Sequence, residues 1–173
     1  MAKIPPLPPS LEWHFIGHLQ SNKIRKALPL FQLFHGVDNP GLAGQMDRVA
    51  GECGCLPRIL LEVNVSGEAT KFGFQPDRLR SEFSDLLALP HIEIFGLMTM
   101  APYSEDPQGA KPYFAALRRL RDDLEQQAGT PLPELSMGMS GDFEAAIAEG
   151  STLVRIGSAI FGERPKQPSE LIS

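Results

Sequence analysis

No apolar run in this sequence approaches the roughly 20 residues that a membrane-crossing helix needs. The N-terminus, MAKIPPLPPS, has no apolar stretch of the signal-peptide kind, so export is not expected. Positive charge is short as well. Sixteen Lys and Arg against 21 Asp and Glu leave a net charge of −5. That argues against nucleic acid or a membrane surface as the main partner, while leaving room for a local basic pocket. Cysteine is scarce. The only two, Cys53 and Cys55, stand in GECGC. A disulfide across one residue is strained, and one C-x-C pair without a second is a weak metal signal. Two free thiols, no bound metal and a reducing, cytoplasmic setting are the expectation. Repeats at solenoid periods are lacking too. Hydrophobic residues make up 42%, which excludes wholesale disorder, and 173 residues suffice for one domain with a sizeable core.

What is present is alternation. Residues 1–10 form a proline-rich lead-in that suits neither helix nor central strand. LEWHFIGHLQ then reads as a strand ending at Gly17, and SNKIRKALP as a short helix with Ser21 as a cap and Pro29 beyond it. LFQLFHGVD is a second strand, followed by a helix around Ala43 to Ala50. RILLEVNV, residues 58 to 65, is the clearest strand. QPDRLRSEFSDLLALP is an amphipathic helix with Leu79, Phe83, Leu86 and Leu87 on one face. HIEIFGLMTM, YFAALRRLRDDLEQQAG, PELSMGMS, GDFEAAIAEG and STLVRIGSAIFG continue the order strand, helix, strand, helix, strand. About six strand–helix units of this kind predict a parallel sheet with crossover helices. No G-x-G-x-x-G follows the first strand, so an open dinucleotide-binding sheet loses ground to a barrel. A full barrel needs eight units and usually about 250 residues, and six leave a gap. The domain is placed at residues 11–164, with 165–173 as a C-terminal tail.

Parallel α/β folds bind ligands at the C-terminal ends of their strands. Those ends carry His14 and Gly17, Asn64 and Ser66, Met98 and Thr99, Ser136 to Ser140, and Arg155 to Ser158. The last two sites fit together. SMGMSGD ends a strand and opens a helix, so Ser140 with the backbone N–H groups of Gly141 and Asp142 makes an anion site. LVRIGSAIFG interrupts two apolar runs with Arg155, a permanent cation, with Gly157, which admits close backbone approach, and with Ser158, a hydroxyl. Each has a plainer reading: Ser140 as a helix N-cap, Arg155 in a surface ion pair, His14 between Trp13 and Phe15 as a satisfied structural histidine. Together, at the two strand ends where barrels often hold phosphate, they point to an anion.

WHFIGHLQSNK, KFGF, FGLMTM and LSMGMSGDFEAAIAEGSTLVRIGSAIFGER, spread over about residues 11 to 164, resemble the pyridoxal-phosphate homeostasis protein family, also called proline synthase co-transcribed homologues. The resemblance implies a (β/α)8 TIM-type barrel of the alanine racemase N-terminal-domain kind. It also implies binding of pyridoxal 5′-phosphate, no established catalytic activity, and a role in vitamin B6 and amino-acid homeostasis. Carried over, Ser140, Gly157 and Ser158 hold the phosphate. Arg155 faces the pyridine nitrogen, which keeps it unprotonated and weakens the ring as an electron sink. His14 is kept as a further cofactor-side candidate.

The departure from the family pattern is as informative. The family's Schiff-base lysine stands in a VSK-like motif at the end of its first strand, and a Gly-Glu-Asn motif follows its second; neither occurs here. The first two units are therefore expected to be missing. Of the six lysines, Lys3 lies in the lead-in, Lys23 and Lys26 follow the first strand, and Lys71, Lys111 and Lys166 lie in polar loops, none a desolvated setting for that role. A non-enzymatic, non-covalent binder with weakened affinity is the expectation. The alternatives are a racemase or decarboxylase, which needs a second domain, and a sugar-phosphate-binding barrel. Two missing strands expose two sheet edges. The expected alternatives are a marginal fold, self-association through those edges, or an incomplete gene record.

Overall fold

The structure, a computed structural model, describes residues 8, 10–68 and 71–162; Lys3, Lys166 and the 165–173 tail lie outside them. The apolar runs become six strands: β1 (His14–Phe15), β2 (Leu33–Val37), β3 (Arg58–Glu62), β4 (Glu93–Met98), β5 (Glu134–Met139) and β6 (Leu153–Arg155). All are parallel, and they lie side by side in chain order. Helices α1 (Ile24–Ala27), α2 (Pro40–Cys53), α3 (Pro76–Leu87), α4 (Lys111–Ala128) and α5 (Phe143–Ala148) make the crossovers, and α6 (Ser158–Phe161) follows the last strand. Parallel strands need such crossovers, which is why the alternation was readable.

The helix boundaries follow local chemistry. α2 is longer than its apolar pattern, because Asn39 caps it by accepting from Leu42 N at 2.9 Å, Pro40 opens it, and left-handed Gly54 closes it. Ser21 is not a cap. It starts a 3₁₀ turn, Ser21–Lys23, that runs into α1. Lys111 begins α4 rather than standing in a loop. The expected last strand is cut to three residues, since the chain turns at Ile156–Gly157 and coils into α6.

Strand side chains divide between two faces. Phe34, Val37, Ile59, Leu61, Leu97 and Leu135 join Met46, Leu79, Phe83, Phe114 and Leu117 of the helices in the main core. Leu33, Leu60 and Met98, with Phe95 and Leu153, form a smaller cluster on the other, inner face. The sheet is strongly curled. β2 and β5 stand three places apart, roughly 14 Å in a flat sheet. Yet His35 of β2 reaches Ser136 of β5 at 2.8 Å. The result is a curled half-barrel with helices outside, six units of the expected barrel type. Among the described residues β1 and β6 have no strand on their outer sides.

Three breaks in register produce part of the curl, as bulges do. Phe34 and Val37 pair with Ile59 and Leu61, so His35 and Gly36 together oppose Leu60. In β4 the extra residue lies at Phe95–Gly96, and in β5 at Met137–Gly138.

Candidate functional site

The inner face carries a buried polar chain. His35, which is 2% exposed, faces inward like Leu33, two residues before it on β2. Its Nδ1 lies 2.8 Å from Ser136 Oγ and its Nε2 lies 3.1 Å from Nδ1 of His14 on β1. From β6, Arg155 reaches back under the sheet's rim. Its Nη1 donates to Ser136 O at 2.9 Å and to Ser136 Oγ at 2.5 Å, and its Nη2 donates to Thr99 O at 2.9 Å. Arginine only donates. The fully buried Ser136 hydroxyl must therefore find its acceptor elsewhere, and His35 Nδ1 is the acceptor within reach. His35 then carries its proton on Nε2 and donates to His14 Nδ1. One guanidinium so orders the imidazoles of His35 and His14 across four strands.

Burial, then the nearby His14 and then Arg155, push His35 down from 6.5 to about 3. An unfolded chain takes up that proton near pH 6.5, whereas the folded one refuses it until about 3. Stability is thus full above pH 6.5 and drains as pH falls through the window from 6.5 to 3. The gap corresponds to a loss of about 2 kcal/mol at pH 5 relative to pH 7.5. Urea unfolding at the two pH values should show this loss in the native sequence and not in His35→Gln. Equal losses in both proteins would remove His35 as the cause.

Arg155 itself is pulled down by burial and supported by Glu62 and Asp142. Two further carboxylates lie at the ends of β2 and β3. Asp38, just past β2, is held by Asn39 Nδ2 at 2.5 Å and lies 3.5 Å from His18 Nδ1. Glu62, the last residue of β3, alternates with Leu60 and so faces inward. It is 9% exposed, and burial followed by Asp38 pushes its carboxyl up, against the pull of Arg155 and His18.

Ser140 settles one sequence ambiguity. It does not cap α5, whose N-cap position is Asp142. Asp142 turns back to accept from Met139 N at 2.6 Å, and its own N–H goes to Met139 O, so it is not the free donor expected from SMGMSGD. Ser140 Oγ instead accepts from Gly157 N at 3.2 Å and Ala159 N at 3.3 Å. Ser140, Gly157 and Ser158 thus converge where β5 and β6 end. Ser158 and Gly141 line a cleft of about 340 Å³ closed on its other side by Pro102, Tyr103 and Ser104 after β4.

Other candidates are accounted for locally. Asn64 is an organiser of the loop after β3, donating to Glu68 O at 2.8 Å and accepting from Ser66 Oγ and Gly67 N. Thr99 Oγ1 donates to Val63 O at 2.7 Å. Lys71 Nζ lies 2.8 Å from Glu68 Oε1, though off the hydrogen-bond direction, and Lys111 Nζ lies 3.8 Å from Glu149. Lys23 and Lys26 line a separate cleft with Phe15, His18 and Leu19. Cys53 and Cys55 are free, and among the described residues no cluster of three ligating side chains could hold a metal.

Sequence reasoning did not single out His35, Asp38 and Glu62. A signal was there: each is the polar residue inside an apolar strand run, LFHGVD and RILLE.

The alanine racemase N-terminal domain family matches residues 8–165. A pyridoxal phosphate homeostasis protein of Aquifex aeolicus is 48% identical over 154 residues, which are 89% of this chain and 68% of that protein. The structure of PipY from Synechococcus elongatus without PLP overlays with a TM-score of 0.85 at 42% identity, covering 93% of this chain and 75% of PipY. PipY has also been solved with PLP bound, at 41% identity and a TM-score of 0.84 over 93% of this chain and 74% of that one. An alanine racemase of Clostridium difficile, 16% identical, shares the fold with a TM-score of 0.73 over 91% of this chain and 41% of the racemase. On this evidence of fold and sequence, the chain belongs to the pyridoxal phosphate homeostasis protein family, built on the alanine racemase N-terminal domain.

Proposed function

We propose that residues 11–164 bind pyridoxal 5′-phosphate without a covalent bond and without catalysing a reaction, in the service of vitamin B6 homeostasis. The observation that carries this reading is the environment of Ser140 Oγ, where two backbone N–H groups from the β6–α6 turn converge on one oxygen. At 3.2 and 3.3 Å these bonds are long for N–H to oxygen, so a charged phosphate oxygen is the stronger acceptor. Ser158, beside them, faces the adjoining cleft. The residues therefore fit a phosphate. Bound there, the cofactor would supply an aldehyde and an electron-withdrawing ring. Arg155 keeps Nε–H and one Nη2–H beyond its three bonds to Ser136 and Thr99, and would present a cation rather than an acid to the ring nitrogen. Relatives point the same way, since PipY has been solved with PLP bound.

Of the lysines described, Lys71 and Lys111 lie beside carboxylates and Lys23 and Lys26 line a cleft of their own. Among the described residues this supports binding without a covalent bond. Titration with pyridoxal 5′-phosphate should show saturable binding that inorganic phosphate competes away. Ser140→Ala should weaken it about tenfold, the worth of one charge-assisted hydrogen bond, without changing the far-UV spectrum. Borohydride treatment of the complex should leave the protein mass unchanged. A pyridoxyl adduct on any lysine overturns the non-covalent reading, and absence of saturable binding overturns the function.

A further inference from the structure

The proposed function needs Arg155 aimed, and the aim is set on the buried side of the strand. The long side chain leaves the short strand β6 with many rotamers open to it. Two backbone carbonyls, Ser136 O and Thr99 O, each take one of its N–H groups at 2.9 Å. The third partner is a hydroxyl, Ser136 Oγ, at 2.5 Å. A carbonyl always accepts, whereas a hydroxyl accepts on one side only if its own proton points to another. His35 decides where that proton goes. Nδ1 of the imidazole, 2.8 Å from Ser136 Oγ, is the acceptor that draws the hydroxyl proton away from the guanidinium. Nε2, 3.1 Å from His14 Nδ1, keeps the ring from turning over. Ser136 is fully buried and His35 nearly so, which keeps water from replacing either partner. Held down to about 3, the imidazole stays neutral and keeps one nitrogen as an acceptor. This latch adjoins the anion site. Arg155 pairs with Met139, next to Ser140, and two residues on, Gly157 N donates to Ser140 Oγ at 3.2 Å. The cation and the phosphate donors are thus carried by the same two strand ends.

We propose that His35, acting through Ser136, is a positioning residue for Arg155. It turns the Ser136 hydroxyl so that the guanidinium is held by three bonds and keeps Nε–H and one Nη2–H for the ring nitrogen of the bound cofactor. This rests on the phosphate reading of Ser140 and on the placing of Arg155 given above. Without an acceptor at Nδ1, the Ser136 proton has no other partner among the described residues. It then meets Arg155 Nη1–H donor against donor, and the guanidinium is pushed off its line. His35 itself touches no ligand in this account, so its loss should be felt at the ring nitrogen rather than at the phosphate.

Calorimetric titration of the full chain with two ligands tests this: pyridoxal 5′-phosphate, and its deaza analogue with carbon in place of the ring nitrogen. The native chain should bind the pyridine compound about tenfold more tightly, the scale of a hydrogen bond from a charged donor. In His35→Leu that preference should fall to within about twofold, with affinity for the deaza compound unchanged. His35→Asn sets an amide oxygen near the place of Nδ1 and should restore the preference. Ser136→Ala, a smaller change in case the leucine is not tolerated, should lose it as His35→Leu does. Equal weakening of both ligands in His35→Leu or Ser136→Ala overturns the positioning role, because a merely structural residue acts on both alike. A preference retained in Ser136→Ala overturns it too, since the two carbonyls would then suffice. No preference in the native chain removes the ring-nitrogen contact and this inference while leaving the phosphate reading intact. Failure of both ligands to bind the native chain removes the phosphate reading as well.

Discussion

Gly96→Ala is expected to cost the fold about 3 kcal/mol or more, a large share of a single domain's stability. A Cβ at this position would lie 1.9 Å from Glu134 O, 2.7 Å from Glu134 C and 3.0 Å from Glu134 Cα. These are backbone atoms of the neighbouring strand, so no rotamer change relieves the clash. Gly96 sits in the β4 bulge and pairs with Glu134, and β4 and β5 would have to part to admit one methyl group. Parting them also breaks the route by which Arg155 spans Thr99 and Ser136. Gly44 provides the contrast. It lies inside α2 with nothing within 4 Å of a built Cβ, and Gly44→Ala should stabilise by about 0.5–1 kcal/mol through helix propensity. Urea unfolding midpoints of the two variants should move in opposite directions. A Gly96→Ala protein as stable as the native one would mean that β4 and β5 are not held at this register.

The alternation of strands and helices was legible because a parallel sheet buries both faces, and its strands stand out as short apolar runs between amphipathic helices. Ser140 and the Arg155–Ser158 turn were legible because polar residues at strand ends are few and fall in a motif. What was hidden has a common cause. Gly36 joins His35 on the inner side only because the β2 bulge breaks strict alternation, and a single strand's sequence does not announce where it will slip against its neighbours. The pairing of His35 with Ser136 joins residues 101 apart, which requires the curl of the whole sheet. Glu62 was the recoverable miss. In RILLE the inward set is Arg58, Leu60 and Glu62, and a carboxylate on the inner face of a barrel strand has to be answered by something. Ser140 shows the converse. Its motif set it at the end of a strand, but its cap role was undecidable until the β6 turn was seen to fold over it.

Arg155→Leu is expected to cost about 3 kcal/mol of stability and to abolish ligand binding at concentrations that saturate the native chain. The stability term comes from Thr99 O, which loses its guanidinium donor inside the fold, and from Ser136 Oγ. Ser136 O keeps the Thr99 N–H at 3.1 Å, so the loss falls short of three full hydrogen bonds. Arg155→Lys should recover only part of it. An ammonium donates from one point, whereas the planar guanidinium reaches Thr99 after β4 and Ser136 on β5 at once. A second readout separates this account from simple loss of packing. Arg155 is one of the charges that hold His35 down, so its removal must raise the His35 value and narrow the acid window between 6.5 and 3. The drop in stability from pH 7.5 to pH 3, where the folded imidazole itself begins to take up its proton, should therefore be smaller in Arg155→Leu than in the native chain, even though its stability at pH 7.5 is lower. An unchanged drop would show that the guanidinium and the imidazoles are electrically independent, and the chain of bonds from β6 to β1 would then be no more than packing.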